Sequence, residues 1–204
     1  MPLSLEQVNQ LKQAPVEGML PALAQRWSPR SFKDTPIPAN DLKIVLEAAR
    51  WAASSANAQP WRYLVGVKGS ETHSKIFECL VGANQAWANK PHVLLLGFAV
   101  LKDEKGNPLR YAVYDLGQST HALITQATAL GLATHSMGGF DHAAARTAFN
   151  LNEDYAIGAV IAIGYQDEPS ALPTEQLQER EVLPRKRKQL SEIALIDLGK
   201  PFEI

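Results

Sequence analysis

The sequence predicts a chain that mixes α-helices with a small number of deeply buried β-strands. Three observations carry this. Residues 93–100 and 156–165 are almost continuously apolar and of strand length, the pattern of central strands covered on both faces. Residues 111–130 form a long, alanine-rich helical stretch that Gly131 closes. No glycine-rich turn follows a strand with dinucleotide-binding spacing, and no P-loop is present. The strands are too few, and their connections too irregular, for a doubly wound sheet.

Composition sets the frame. The chain has 204 residues, 46% hydrophobic and 20% charged, which suits one soluble domain spanning residues 1–204. The 20 basic and 21 acidic residues leave a net charge of −1, so no global field points to nucleic acid and any cationic site must be local. Cys79, the one cysteine, has no internal partner for a disulfide and cannot build a thiolate metal cluster. The N-terminus lacks a basic segment followed by an apolar core, and the longest apolar run is far short of the about 20 residues of a membrane helix. A cytoplasmic protein without a membrane partner is expected.

The elements follow in order. Ser4 with Gln7 three residues on reads as a capping box that opens a helix. Pro36 and Pro38 give an extended approach to a second helix, capped by Asn40 or Asp41. Its apolar face is Leu42, Val45, Leu46 and Ala49, and it stops before Pro60. Residues 63–67 read as a strand and residues 71–80 as a helix. The strand at 93–100 is followed by a charged turn at 103–108, the long helix, a short helix at 141–149 and the strand at 156–165. The tail beyond Pro184 carries Arg185-Lys186-Arg187-Lys188 and a short apolar segment.

Four segments carry candidate chemistry. Arg26-Trp27-Ser28-Pro29-Arg30 places two guanidinium forks around a hydroxyl, and Pro29 restricts the backbone between them. It is an anion site or a plain surface turn. Ser54-Ser55-Ala56-Asn57-Ala58-Gln59-Pro60-Trp61 is dense in side-chain donors and acceptors and suits a polyol or a heterocycle edge; otherwise it is a solvated loop after a helix. Ser136-Met137-Gly138-Gly139-Phe140 is a turn whose paired glycines let backbone approach a flat ligand. Arg185-Lys186-Arg187-Lys188 is a solvated tail or part of a phosphate site, for which two of its cations suffice. Gly117-Gln118-Ser119-Thr120-His121 opens like a nucleophile elbow, but His121 stands in place of the second glycine and the segment lies inside a helical pattern. The histidines are scattered without metal-ligand spacing.

In this order and spacing, the segments resemble the nitroreductase family of flavoproteins over roughly residues 20–195. Arg26-x-Ser28-x-Arg30 and Ser54-Ser55-x-Asn57-x-Gln59-Pro60-Trp61 are the most specific parts. Gly131-Leu132, Gly138-Gly139-Phe140-Asp141, Ile163-Gly164-Tyr165 and Arg185-x-Arg187 continue the pattern. The resemblance implies an α+β fold, a central mostly antiparallel sheet wrapped by helices, in an intertwined homodimer with FMN at the interface. It implies that Arg26, Ser28 and Arg30 hold the phosphate, ribityl chain and pyrimidine edge, with Arg185 and Arg187 completing the phosphate site. Ser54, Ser55, Asn57 and Gln59 then come from the other subunit, Gly138 and Gly139 lie near flavin N5, and Asn84 is a further contact. Some members carry a proline and an acidic residue where this chain has Ser136-Met137. The implied activity is NAD(P)H-driven, ping-pong reduction of a nitroaromatic, quinone or similar flat small-molecule acceptor through flavin N5, with no catalytic side chain. A flavin-binding or flavin-sequestering protein of the same fold, without turnover, is the alternative.

Overall fold

Strand β2 (Val93–Val100) is the spine of the molecule, with seven of its eight residues buried. The computed structural model describes residues 3–202. Strand β1 (Trp61–Val67) pairs with one side of β2 and β4 (Tyr155–Gly164) with the other. Strand β3 (Ala133–Met137) closes the far edge, giving the order β1-β2-β4-β3. Every pairing is antiparallel.

Alternation of side chains along β2 builds two cores at once. Val93 and Leu95 face one side, against Val45 and Ala49 of α3 (Ala39–Arg50) and Leu123 and Ala127 of α6 (Ala112–Ala129). Leu94 and Leu96 face the other side, against Ile76 of α4 (Glu71–Glu78), Trp87 of α5 (Gly82–Ala88) and Ala145 of α7 (His142–Phe149). A sheet covered on both faces needs strands without a polar face, which is why β2 and β4 read as continuous apolar runs. Gly66 is where α4 lies down on β1: a Cβ there would stand 2.6 Å from the His73 Cα.

The capping box is realised, with the Ser4 amide donating to Gln7 Oε1 at 2.9 Å and the Gln7 amide to Ser4 Oγ at 3.3 Å, and it opens α1 (Leu5–Lys12). The expected cap of the next long helix is corrected. Pro38 occupies the N-cap of α3 without a side-chain bond, and Asn40 and Asp41 lie inside the first turn. The extended backbone that Pro36 and Pro38 impose sets the entry, and Asp41 there complements the helix dipole.

Among the elements not legible in the sequence are α2 (Pro21–Gln25), α5, β3 and α8 (Glu175–Glu181). Ser136 and Met137, expected in a turn, end β3, so the turn begins at Gly138. The tail's apolar segment contains a small hairpin of β5 (Leu195–Asp197) and β6 (Lys200–Pro201). Among the described residues no helix is long and apolar enough to cross a membrane.

Candidate active site

The Arg26–Arg30 segment leaves the C-terminus of α2 and is pinned by its backbone to three distant parts of the chain. Arg185 in the tail donates to the Arg26 carbonyl at 2.6 Å and the Ala24 carbonyl at 3.0 Å, satisfying acceptors that the short helix leaves open. Glu181 of α8 accepts from the Arg30 amide at 2.7 Å and the Ser31 amide at 3.0 Å. His135 of β3 lies 2.8 Å from the Pro29 carbonyl through Nδ1. A carbonyl only accepts, so Nδ1 carries the proton. Burial pushes the His135 pKa down to about 4, with Arg30 and Arg26 adding to the effect, so the ring is neutral at ordinary pH.

With its backbone fixed, the segment turns its side chains into a cavity of about 280 Å3. Lys12, Arg26, Arg30, Arg180, Arg185 and Arg187 line it together with Ser28 and Trp27. Arg26 Nη1 donates to Ser28 Oγ at 3.3 Å. Burial is the main cause that lowers the pKa of Arg26, Arg30 and Arg185, and neighbouring guanidinium groups add to it. Crowding like charges in a partly desolvated pocket is costly, and a bound anion offsets that cost. Glu181, fully buried, is the acidic counterweight. Desolvation raises its pKa, while the two amides and the Arg30 and Lys12 charges favour the ionised form.

The Gly138-Gly139 turn follows β3 three residues beyond His135, about 10 Å further along at strand rise. Gly138 is open, with nothing within 4 Å of an added Cβ, whereas a Cβ on Gly139 would stand 2.9 Å from Asn84 Nδ2. Asn84 donates from Nδ2 to the Gly139 carbonyl at 2.9 Å, so it fixes this turn. The structure thus brings Arg26, Ser28, Arg30, Arg185 and Arg187 into one cavity and sets Asn84, Gly138 and Gly139 at the end of the adjoining strand.

It does not bring Ser54, Ser55, Asn57 and Gln59 to that cavity. Their loop is tied to the N-terminal end of α6, where buried Asp115 accepts from the Ser55 amide at 3.1 Å. The Arg26–Trp27 end borders a groove whose wall is Thr128 and Gly131, at the other end of α6. Thirteen helical residues separate Asp115 from Thr128, about 20 Å. The loop is also strained: Ala56, Asn57 and Gln59 have φ of 49°, 56° and 47°. Ser54 Oγ accepts from the Gln59 amide at 3.0 Å, and Arg62 donates to the Gln59 carbonyl at 3.0 Å, which holds the conformation. Non-glycine residues held in this region cluster at functional sites.

Sequence reasoning missed Lys12, Arg180, Glu181 and Asp115. Glu181 had a signal, since it lies four residues from Leu177 and shares its buried helix face. Lys12 had none, because its surroundings are assembled from distant segments. Among the described residues no group of three or more His, Cys, Asp or Glu could hold a metal ion.

Fold and site together define a scaffold with a cation-lined cavity and, at the end of the edge strand that helps to hold it, an open glycine turn. The nitroreductase family model matches residues 23–86 and 70–165, and the chain belongs to the nitroreductase family. An NADH dehydrogenase of Thermus thermophilus is 29% identical, over 84% of this chain and 98% of its own length. A crystal structure described as an oxidoreductase containing FMN is 34% identical, with a TM-score of 0.83 over 91% of this chain and 94% of the other. A nitroreductase family protein from Clostridium difficile shares the fold at 23% identity, with a TM-score of 0.63 over 84% and 94%.

Proposed function

We infer that this chain is an FMN-dependent oxidoreductase that takes electrons from NAD(P)H, and that its site is completed by a second copy of the chain. The observation that carries the reading is the cation cavity around Arg26, Ser28 and Arg30, in a segment held through the Pro29 carbonyl by His135 of β3, the strand that leads into the open Gly138 turn. The donor set fits the group. Arg26, Arg185 and Arg187 suit a phosphate dianion, Ser28 suits a ribityl hydroxyl, and Gly138 offers backbone without a side chain to a flat ring. FMN supplies a ring that accepts electrons from a reduced nicotinamide and passes them to a flat acceptor.

The chain's own residues bind and orient. Glu181 and His135 hold the 26–31 backbone, so the guanidinium groups are placed before a ligand arrives, the condition for electrostatic stabilisation without reorganisation. Asn84 fixes the Gly138-Gly139 turn. Ser54, Ser55, Asn57 and Gln59 belong to a loop tied to the end of α6 opposite the one that borders Arg26 and Trp27, which supports their delivery to the site of a second copy. Trp51, 77% exposed, with Tyr111, Val113 and Tyr114 forms an apolar surface on the elements flanking that loop, as an interface requires. Donor and acceptor using one site in turn give ping-pong kinetics with a nitroaromatic or quinone acceptor.

Purified protein should be yellow, release FMN on denaturation, and oxidise NADH or NADPH in the presence of a quinone or a nitroaromatic. A colourless protein that takes up no FMN overturns the reading. FMN without oxidation of either donor leaves a flavin-holding protein in place of a reductase.

A further inference from the structure

We propose that Lys12, delivered by helix α1, is an additional ligand of the anionic group in the arginine cavity, so that docking of α1 and binding of the anion are coupled. The inference rests on the reading of that cavity as the phosphate end of an FMN site and adds a residue and an element to it.

Lys12 is the last residue of α1 and only 6% exposed, a rare condition for a lysine without a carboxylate partner. Among the described residues it forms no ion pair. Its ammonium lies 4.6 Å from the centroid of the Trp27 ring, and the cavity shared with Arg26, Arg30 and Arg185 is where it emerges. Glu181 is the one acidic group that acts on it, and it does so without a hydrogen bond: its Oε1 accepts from two backbone amides and its buried Oε2 has no partner, Lys12 included. An ammonium held over an aromatic face keeps donors to spare. A phosphate in the cavity would take one of them.

Helix α1 is fastened in a way that suits this role. Asn9 Oδ1 accepts from Trp27 Nε1 at 2.9 Å, and Glu168 Oε2 accepts from the Leu5 amide at 2.7 Å. Val8 is fully buried beneath the helix. Trp27 therefore joins α1 to the same segment that carries Arg26, Ser28 and Arg30. An anion that pulls Lys12 inward holds α1 down, and α1 docked on Trp27 presents Lys12.

The full-length protein, freed of flavin, is titrated with FMN and with riboflavin, which lacks the phosphate. Wild type should bind FMN more tightly, and the Lys12→Met variant, whose stem still covers Trp27, should lose about tenfold in FMN affinity with riboflavin affinity unchanged. Lys12→Arg should recover most of the loss. Hydrogen exchange of wild type supplies an arm independent of any variant's folding: FMN should protect α1 more than riboflavin does. If wild type discriminates FMN from riboflavin but Lys12→Met matches it, or α1 protection is the same with both flavins, the Lys12 assignment fails. If wild type does not discriminate the two, the phosphate reading itself fails.

Discussion

At the scale of single residues, the proposed site is a set of charges whose backbone is held by Arg185, Glu181 and His135. Arg26 and Ser28 are neighbours in the cavity, but a guanidinium facing a phosphate makes a charge-assisted bond about twice as strong as a neutral one. Arg26→Ala should therefore weaken FMN binding by roughly 10- to 100-fold, and Ser28→Ala by a few-fold, as read by equilibrium titration. Equal affinities in the two variants would remove Arg26 from the site. His135 gives a pH signature. Its folded pKa of about 4 lies below its ordinary 6.5, so the unfolded chain binds the extra proton between those values. Stability from the neutral ring is full above pH 6.5 and falls as pH drops toward 4, by at most roughly 3 kcal/mol. His73 and His92, also pushed down by burial, act in the same direction, while the raised carboxyl of Glu181 acts in the opposite one. His135→Asn keeps a donor for the Pro29 carbonyl and should flatten the acid limb of a denaturation series. An unchanged limb would place the titration elsewhere.

At the scale of elements, the strained 54–59 loop and the packed strands make opposite predictions. Ala56 holds a left-handed backbone that glycine adopts freely, so Ala56→Gly should raise stability by about 0.5–1 kcal/mol in thermal unfolding. A loss would show that the conformation is not strained. Leu95 is fully buried between β2 and the α3–α6 layer, and Leu95→Ala should cost about 2–5 kcal/mol in chemical denaturation. The long elements were legible because their pattern is local: β2 and β4 as unbroken apolar runs, α6 by its length and Gly131, α1 by its capping box. Helix α2, with five residues, and β3, an edge strand carrying Thr134, His135 and Ser136, have no such pattern and are held by their neighbours. The α3 cap was misread because prolines preceding the helix did the work assigned to a polar cap. The arginine cavity was legible in part. Its two halves are more than 150 residues apart, and the family resemblance joined them; Lys12 and Arg180 entered through packing alone, and the one signal for Glu181 was the helix face it shares with Leu177.

At the scale of the molecule, helix α6 sets the architecture of the site. Its N-terminal end anchors the Ser54–Gln59 loop through Asp115, and its C-terminal end borders the groove beside Arg26 and Trp27. On the proposed reading, one chain carries two half-sites tied to opposite ends of α6, and two copies make a whole one. The central claim is that one FMN is held by two chains, and complementation tests it most directly. One subunit carries Arg26→Ala with Arg30→Ala, the other carries Ser55→Ala with Asn57→Ala, and the two are co-expressed with different tags so that the heterodimer is purified by both. If the site is shared, the heterodimer has one intact and one doubly impaired site, and it should retain close to half the FMN of wild type while each homodimer retains little. A heterodimer that holds no more FMN than the two homodimers would place the whole site within one chain and contradict the account.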